Sequence, residues 1–219
     1  PNWADHEEIV PLERARNGML RDLGLMSSFV VQYSGNLGRT HGIDDLLSAA
    51  RALQESERVR LLVIGDGARS RELKERVSLE NLGNVMVRER VPRAELPVSL
   101  NACDLAVITF QPGMAGISVP CRMYNIMAAG KPILAVADED SELAKVVIEE
   151  GIGWVVPPGH PERMATVIQE ACCLAPEVLQ EMGRRARRAV ESKYTLAKAA
   201  DAYEKVLDQL TEDKRIAVI

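Results

Sequence analysis

Three glycine-bearing loops hold the residues with chemical potential. Ser34-Gly35-Asn36-Leu37-Gly38-Arg39-Thr40-His41-Gly42 follows one apolar run, Gly65-Asp66-Gly67 follows a second, and Pro112 to Pro120 opens onto a helical pattern. Gly35, Gly38, Gly65 and Gly67 permit positive φ and bring backbone N–H groups close to a ligand. On the first loop Arg39 and His41 suit phosphate oxygens, the arginine in bidentate fashion. The other reading of His41 is a residue that caps its own helix. In the third loop Gly113, Gly116 and Ser118 can turn N–H groups toward an anion, ahead of a helix over Cys121 to Ala129. A helix start leaves four N–H groups unpaired and carries partial positive charge, so an anion is stabilised there. Arg122 lies in that first turn, and Asn125 lies three residues on, on the same face, where it reaches for a hydroxyl.

Other chemistries find no set of residues. The first loop is not G-x-G-x-x-G, because its glycines fall at 35, 38 and 42. No Ser-His-Asp set, metal-ligand cluster or carboxylate pair falls at the strand ends, and no Asp-x-Asp is read as a metal site. Asp104, at the start of a strand, reads as a structural acceptor, His160 as the opening of a helix, and His6 has no role. Met123 and Met127 belong to the core.

The loops need a scaffold, and the hydropathy pattern supplies one. Strands are expected at Phe29 to Tyr33, Val59 to Ile64, Asn84 to Val87, Leu105 to Thr109, Pro132 to Val136 and Gly153 to Val156, with helices of three- and four-residue apolar spacing between them. Short strands that are apolar throughout belong to a parallel sheet covered on both faces. The fold class is therefore α/β, a doubly wound, Rossmann-like parallel sheet of about six strands. Residues 1–25 form a leading segment and helix, and 176–219 form extra C-terminal helices on one nucleotide-binding domain. One apolar stripe follows Leu196, Tyr203, Val206, Leu207 and Leu210. Arg184, Arg185, Arg187 and Arg188 suit an acidic membrane surface, but flanking glutamates favour a solvated helix face.

Composition narrows the partners. The 219 residues carry a formal net charge of -5, which argues against nucleic acid as a partner. Cys103, Cys121, Cys172 and Cys173 have neither metal-ligand spacing nor the density of a disulfide framework, which fits a reduced cytoplasmic compartment. No apolar run approaches the ~18 residues of a membrane span and no signal peptide is read. The start at Pro1 suggests a piece of a longer protein.

In this order the motifs resemble the C-terminal, donor-binding domain of the retaining GT-B glycosyltransferases of family 4, the group 1 type. The likeness rests on Tyr33-Ser34-Gly35-Asn36-Leu37-Gly38 leading to His41-Gly42, on Val63-Ile64-Gly65-Asp66-Gly67, and on Asn101-Ala102-Cys103-Asp104-Leu105. It continues through Met127-Ala128-Ala129-Gly130-Lys131-Pro132 and Gly153-Trp154-Val155-Val156-Pro157-Pro158-Gly159. The Ser118-Val119-Pro120-Cys121-Arg122 variant looks most like enzymes of capsule, O-antigen and colanic-acid synthesis.

The resemblance implies half of a GT-B fold that binds a nucleoside diphosphate sugar, a UDP-sugar, as substrate and uses no cofactor or metal. Its partners are a missing N-terminal acceptor domain, reached by the last helix, and a saccharide or lipid-linked acceptor. The full-length protein would sit in the cytoplasm, peripherally at the inner face of the membrane. The family's ribose-binding glutamate falls at Asn125 and its second glutamate at Ile117, while Asn36 and His41 stand where many members carry an arginine and a lysine. Arg39 and Arg122 then inherit the diphosphate charge. Gly65 to Gly67 and Arg90-Val91 match regions that line the base. Rival readings are a UDP-sugar 2-epimerase-like enzyme and a non-catalytic nucleotide-binding module.

Overall fold

Helix and strand alternate along the chain in the computed structural model, which describes residues 2–117 and 121–216, with side chains as far as 210. Six parallel strands form one sheet: β1 (Phe29–Ser34), β2 (Val59–Ile64), β3 (Val85–Arg88), β4 (Leu105–Thr109), β5 (Ile133–Val136) and β6 (Gly153–Val156). They are separated by α2 (Ile43–Ala52), α3 (Ser70–Leu79), α4 (Leu96–Leu100), α5 (Cys121–Ala128) and α6 (Glu142–Glu149), after a short α1 (Gly18–Asp22). Observed strand limits differ from the expected ones by a residue, and the doubly wound class holds.

The strand order is β3-β2-β1-β4-β5-β6. It reverses between β1 and β4, which pair through Val31 with Leu105 and Tyr33 with Val107. At such a reversal the loops leave in opposite directions and open a crevice at the carboxyl ends of the strands. Each strand is apolar on both faces, and alternate residues feed two cores. Val30, Leu62 and Ile108 pack with α5, α6 and the later α8 (Pro176–Lys193), whereas Val31, Leu61 and Val107 pack with α2 and α7 (Pro161–Cys173).

Three helices close the chain: α7 (Pro161–Cys173), α8 (Pro176–Lys193) and α9 (Leu196–Ile216). On α9 the stripe of Leu196, Tyr203, Val206, Leu207 and Leu210 is exposed. No helix among the described residues is long and apolar enough to cross a membrane.

The arginines of α8 are not one solvated face. Arg184 and Arg188 are exposed and share Glu181. Arg187 instead points inward and donates to the carbonyls of His6, Ile9 and Ala128 at 2.8, 2.7 and 2.9 Å. It also bonds Glu191 at 2.6 Å, so one side chain ties the leading segment to α5 and α8. Arg187→Ala should leave those carbonyls without donors and cost about 3 kcal/mol. Thermal melting should then fall by roughly 6–12 °C. A change below ~2 °C would contradict the clamp.

Asp104 acts as the acceptor expected of it. Its carboxylate takes two bonds from Arg14 at 2.6 and 2.7 Å and the Val30 N–H at 2.7 Å.

Candidate functional site

The carboxyl-end loops of β1 and β2 are built against each other. The Gly35 N–H donates to the Ile64 carbonyl and the Leu37 N–H to the Asp66 carbonyl, both at 2.9 Å, and the Arg69 N–H returns to Leu37. A Cβ on Gly65 would lie 1.9 Å from the Gly35 carbonyl oxygen, and one on Gly67 would lie 2.7 Å from the Leu37 carbonyl oxygen. These two glycines therefore let the neighbouring loop approach closely. At Gly35 a Cβ would meet an Arg122 side-chain nitrogen at 2.7 Å, and at Gly38 it would meet His41 Nδ1 at 3.1 Å.

Arg122 leaves the first turn of α5 and reaches across the sheet reversal to β1. Its guanidinium carbon sits 4.7 Å from the centroid of the Tyr33 ring, a cation–π contact. Nη1 faces the Ser34 carbonyl at 3.4 Å, and Nη2 is buried with no hydrogen-bond partner. No carboxylate lies in ion-pair range of Arg122 among the described residues. A buried donor without a partner is costly, so a positive group held this way is poised for an anion. Tyr33 is itself buried and donates its hydroxyl to the Asn36 carbonyl at 2.6 Å, which holds the first loop. Burial raises the phenol's pKa, against the pull of Arg122.

His41 completes the cluster in a way the sequence does not foretell. Its ring stacks on Phe110 with centroids 5.5 Å apart and meets Tyr33 edge-on at 6.2 Å. Its side chain does not cap α2, whose N-cap is Gly42, and Nδ1 is buried without a partner. Burial, and then the nearby Arg122 charge, hold its pKa down at about 4. The imidazole is therefore neutral at pH 7 and offers a hydrogen bond, not a charge. Arg39 is exposed on the same loop.

A pH dependence follows from the neutral ring. Below about 6.5 the unfolded chain takes up a proton at His41 that the folded chain refuses until about 4. Stability should fall as pH drops through that window and level off below it. His41→Phe should flatten part of this slope in melting curves taken from pH 7 to 4; an identical slope in the variant would exclude His41 as its source.

The third loop joins the crevice from the β4 side. The Gln111 N–H donates to the Thr40 carbonyl at 2.9 Å, tying the loops across the reversal. Gly113 and Gly116 take φ of +78° and +72° in open surroundings, as a loop that must turn requires. Ile117 is exposed, Asn125 is half-buried on α5, and Ser118 lies outside the described residues. An Asp-x-Asp does stand at Asp138 and Asp140, where the sequence reading passes over it. Its Asp138 accepts the Ala115 N–H at 3.2 Å and so positions this loop. No group of three His, Cys, Asp or Glu side chains gathers among the described residues.

Beyond β2 and β3 lies a groove of about 790 Å³ lined by Ile64, Lys74, Val87, Arg90 and Val91. Its far wall is Met19 and Leu23 of the leading segment. The groove reaches the carboxyl ends of β2 and β3 at Ile64 and Arg88, and charged Lys74, Glu89 and Arg90 stand among its apolar side chains. Tyr33 and Phe110 are not singled out by sequence reasoning as site residues, and the α1 wall reads there only as part of a leading segment and helix.

Comparisons with known proteins agree on one family. The profile of the glycosyl transferases group 1 matches residues 21–189. The probable glycosyltransferase WbjE of Pseudomonas aeruginosa is 35% identical over 194 residues, 89% of this chain and 48% of its own length. Among solved structures, the sucrose-phosphate synthase of Thermosynechococcus elongatus superposes with a TM-score of 0.80 at 23% identity, covering 97% of this chain and 52% of its own. Anabaena Alr3699/HepE in complex with UDP-glucose gives 0.77 at 21% identity, covering 94% and 56%. The fold is thus the Rossmann-like half found in GT-B glycosyltransferases. The chain spans about half the length of the curated relatives it matches.

Proposed function

The chain belongs to the glycosyl transferases group 1 family, and we propose that it is the donor-binding, C-terminal domain of a retaining GT-B enzyme. On this reading it holds a nucleoside diphosphate sugar, a UDP-sugar of hexosyl or N-acetylhexosaminyl type. The glycosyl group passes to a saccharide or lipid-linked acceptor in surface polysaccharide synthesis. The relatives' names, WbjE and the putative colanic acid enzyme WcaI, support that setting, and the UDP-glucose complex of HepE supports the donor.

The observation that carries the reading is Arg122, a guanidinium with no carboxylate in ion-pair range among the described residues, held on Tyr33 at the sheet reversal beside the first turn of α5. As the sugar–phosphate bond breaks, negative charge builds on the departing diphosphate. Arg122 and the α5 amides meet that charge in a preformed site, where they stabilise the transition state more than the ground state. The neutral His41 offers a hydrogen bond beside them. The base lies in the groove along Val87–Val91, and Asn125 faces the ribose. The donor is a substrate, and no cofactor enters the reaction.

The acceptor comes from a missing N-terminal domain that covers the exposed α9 stripe, and the isolated chain is inactive. The complete enzyme works in the cytoplasm, at the inner membrane face. Titration calorimetry with UDP, GDP and ADP tests the reading. UDP should bind most tightly; a preference for GDP would replace the base, and silence from all three at millimolar concentration would remove the donor site. Turnover of a UDP-sugar by this chain alone would contradict the half-enzyme reading.

A further inference from the structure

The opposite edge of the sheet carries a second concavity. A six-residue strand separates it from the donor loops by roughly 20 Å. Its wall is made of residues that precede or open strands, namely Phe29, Arg58, Asp104 and Pro132, and its other side is α8; the cavity volume is about 850 Å³. This is the amino-terminal edge, which the donor reading does not use.

The charge around it is uneven. Arg58, Lys131, Arg184 and Arg188 line the cavity in a chain whose formal net charge is -5. The carboxylates on the same wall are committed elsewhere, Asp104 to Arg14 and Glu13 to Arg16. Arg184 and Arg188 share Glu181 with Arg185. Arg58 and Lys131 take part in no ion pair among the described residues. Arg58 and Lys131 therefore line the cavity without an ion-pair partner among the described residues, and Arg184, Arg185 and Arg188 outnumber the one carboxylate they share. Between the cations the surface is apolar: Phe29 forms part of the wall, and Met26 and Leu174 are left 39% and 37% exposed on it.

We infer that this cavity is a second binding site, for a phosphate ester carried on an apolar body. Arg58 and Lys131 take the phosphate oxygens, and Phe29, Met26 and Leu174 cover the body. A phospholipid of a membrane surface and a soluble phosphorylated metabolite share that chemistry.

Octyl phosphate and inorganic phosphate serve as probes by titration calorimetry, with phosphatidylcholine vesicles with and without phosphatidylglycerol in a sedimentation arm. Octyl phosphate should bind about tenfold or more tightly than inorganic phosphate, because only it covers the apolar wall. The double variant Arg58→Glu with Lys131→Glu should lose about tenfold or more of that affinity at an unchanged melting temperature. If the pair disturbs folding, Arg58→Glu alone, at an exposed position, should lose part of it. Sedimentation that depends on phosphatidylglycerol and is lost in the variant identifies a lipid as the ligand. Octyl phosphate binding without sedimentation identifies a soluble ester. The inference is overturned if octyl phosphate does not saturate at millimolar concentration, if charge reversal leaves its affinity intact, or if UDP displaces it.

Discussion

Arg122→Ala should weaken UDP binding by roughly ten- to a hundredfold while the melting temperature stays within a few degrees. A charge-assisted hydrogen bond to a phosphate contributes about 1.5–3 kcal/mol, and each 1.4 kcal/mol is a factor of ten. The small effect on folding follows from what Arg122 lacks. It has one long bond to the Ser34 carbonyl, one contact over Tyr33 and one buried nitrogen with no partner, so its loss removes a desolvation cost along with the contact. Arg122→Lys should recover little, because an ammonium cannot stack on the ring and fork to two oxygens together. Calorimetry beside differential scanning fluorimetry reads both quantities. If affinity and melting temperature fall together, Arg122 is a structural residue and the donor reading loses its main support.

Gly65→Ala should damage both fold and site, because its Cβ has nowhere to go. The atom would stand 1.9 Å from the Gly35 carbonyl oxygen, and that oxygen belongs to backbone held by the Gly35 and Leu37 hydrogen bonds to the second loop. Relief requires the two loops to separate, which breaks those bonds and unseats the segment that faces Arg122. We expect a loss of about 3 kcal/mol or more, a melting temperature lower by at least ~6 °C, and UDP affinity reduced more than about tenfold. Gly116→Ala is the control. Its Cβ meets nothing within 4 Å, so the cost is the +72° φ alone, about 1 kcal/mol. Equal effects at Gly65 and Gly116 would mean that backbone conformation, not loop contact, governs both.

These two residues show where sequence suffices. The sheet is legible because its strands are apolar on both faces, which leaves few alternatives to a covered parallel arrangement. Glycines after strands mark the active edge for the same reason. What they admit is not legible: Gly35 and Gly65 stand 30 residues apart, and only the pairing of β1 with β2 shows that each makes room for the other's loop. Arg122 is identified by its place in a helix first turn. Its platform is not, since Tyr33 reads as one more large residue in a buried strand until β4 and α5 are laid beside β1. His41 is a different case, because charge depends on surroundings. An imidazole on a glycine loop suggests a cation for phosphate, and burial between Phe110 and Tyr33, near Arg122, makes it neutral. Arg187 shows the limit of reading charge runs as solvated faces, since one arginine of the four turns inward to three carbonyls.

On the proposed reading a diphosphate lies between the first loop and the start of α5, with its base along Val87–Val91. An amide NMR titration of the isotope-labelled chain with UDP locates the ligand without assuming activity. Shifts should concentrate at Ser34–Gly38, Arg88–Val91 and Cys121–Asn125 and be attenuated in Arg122→Ala. Shifts confined to the amino-terminal edge, or none at millimolar UDP, would contradict it.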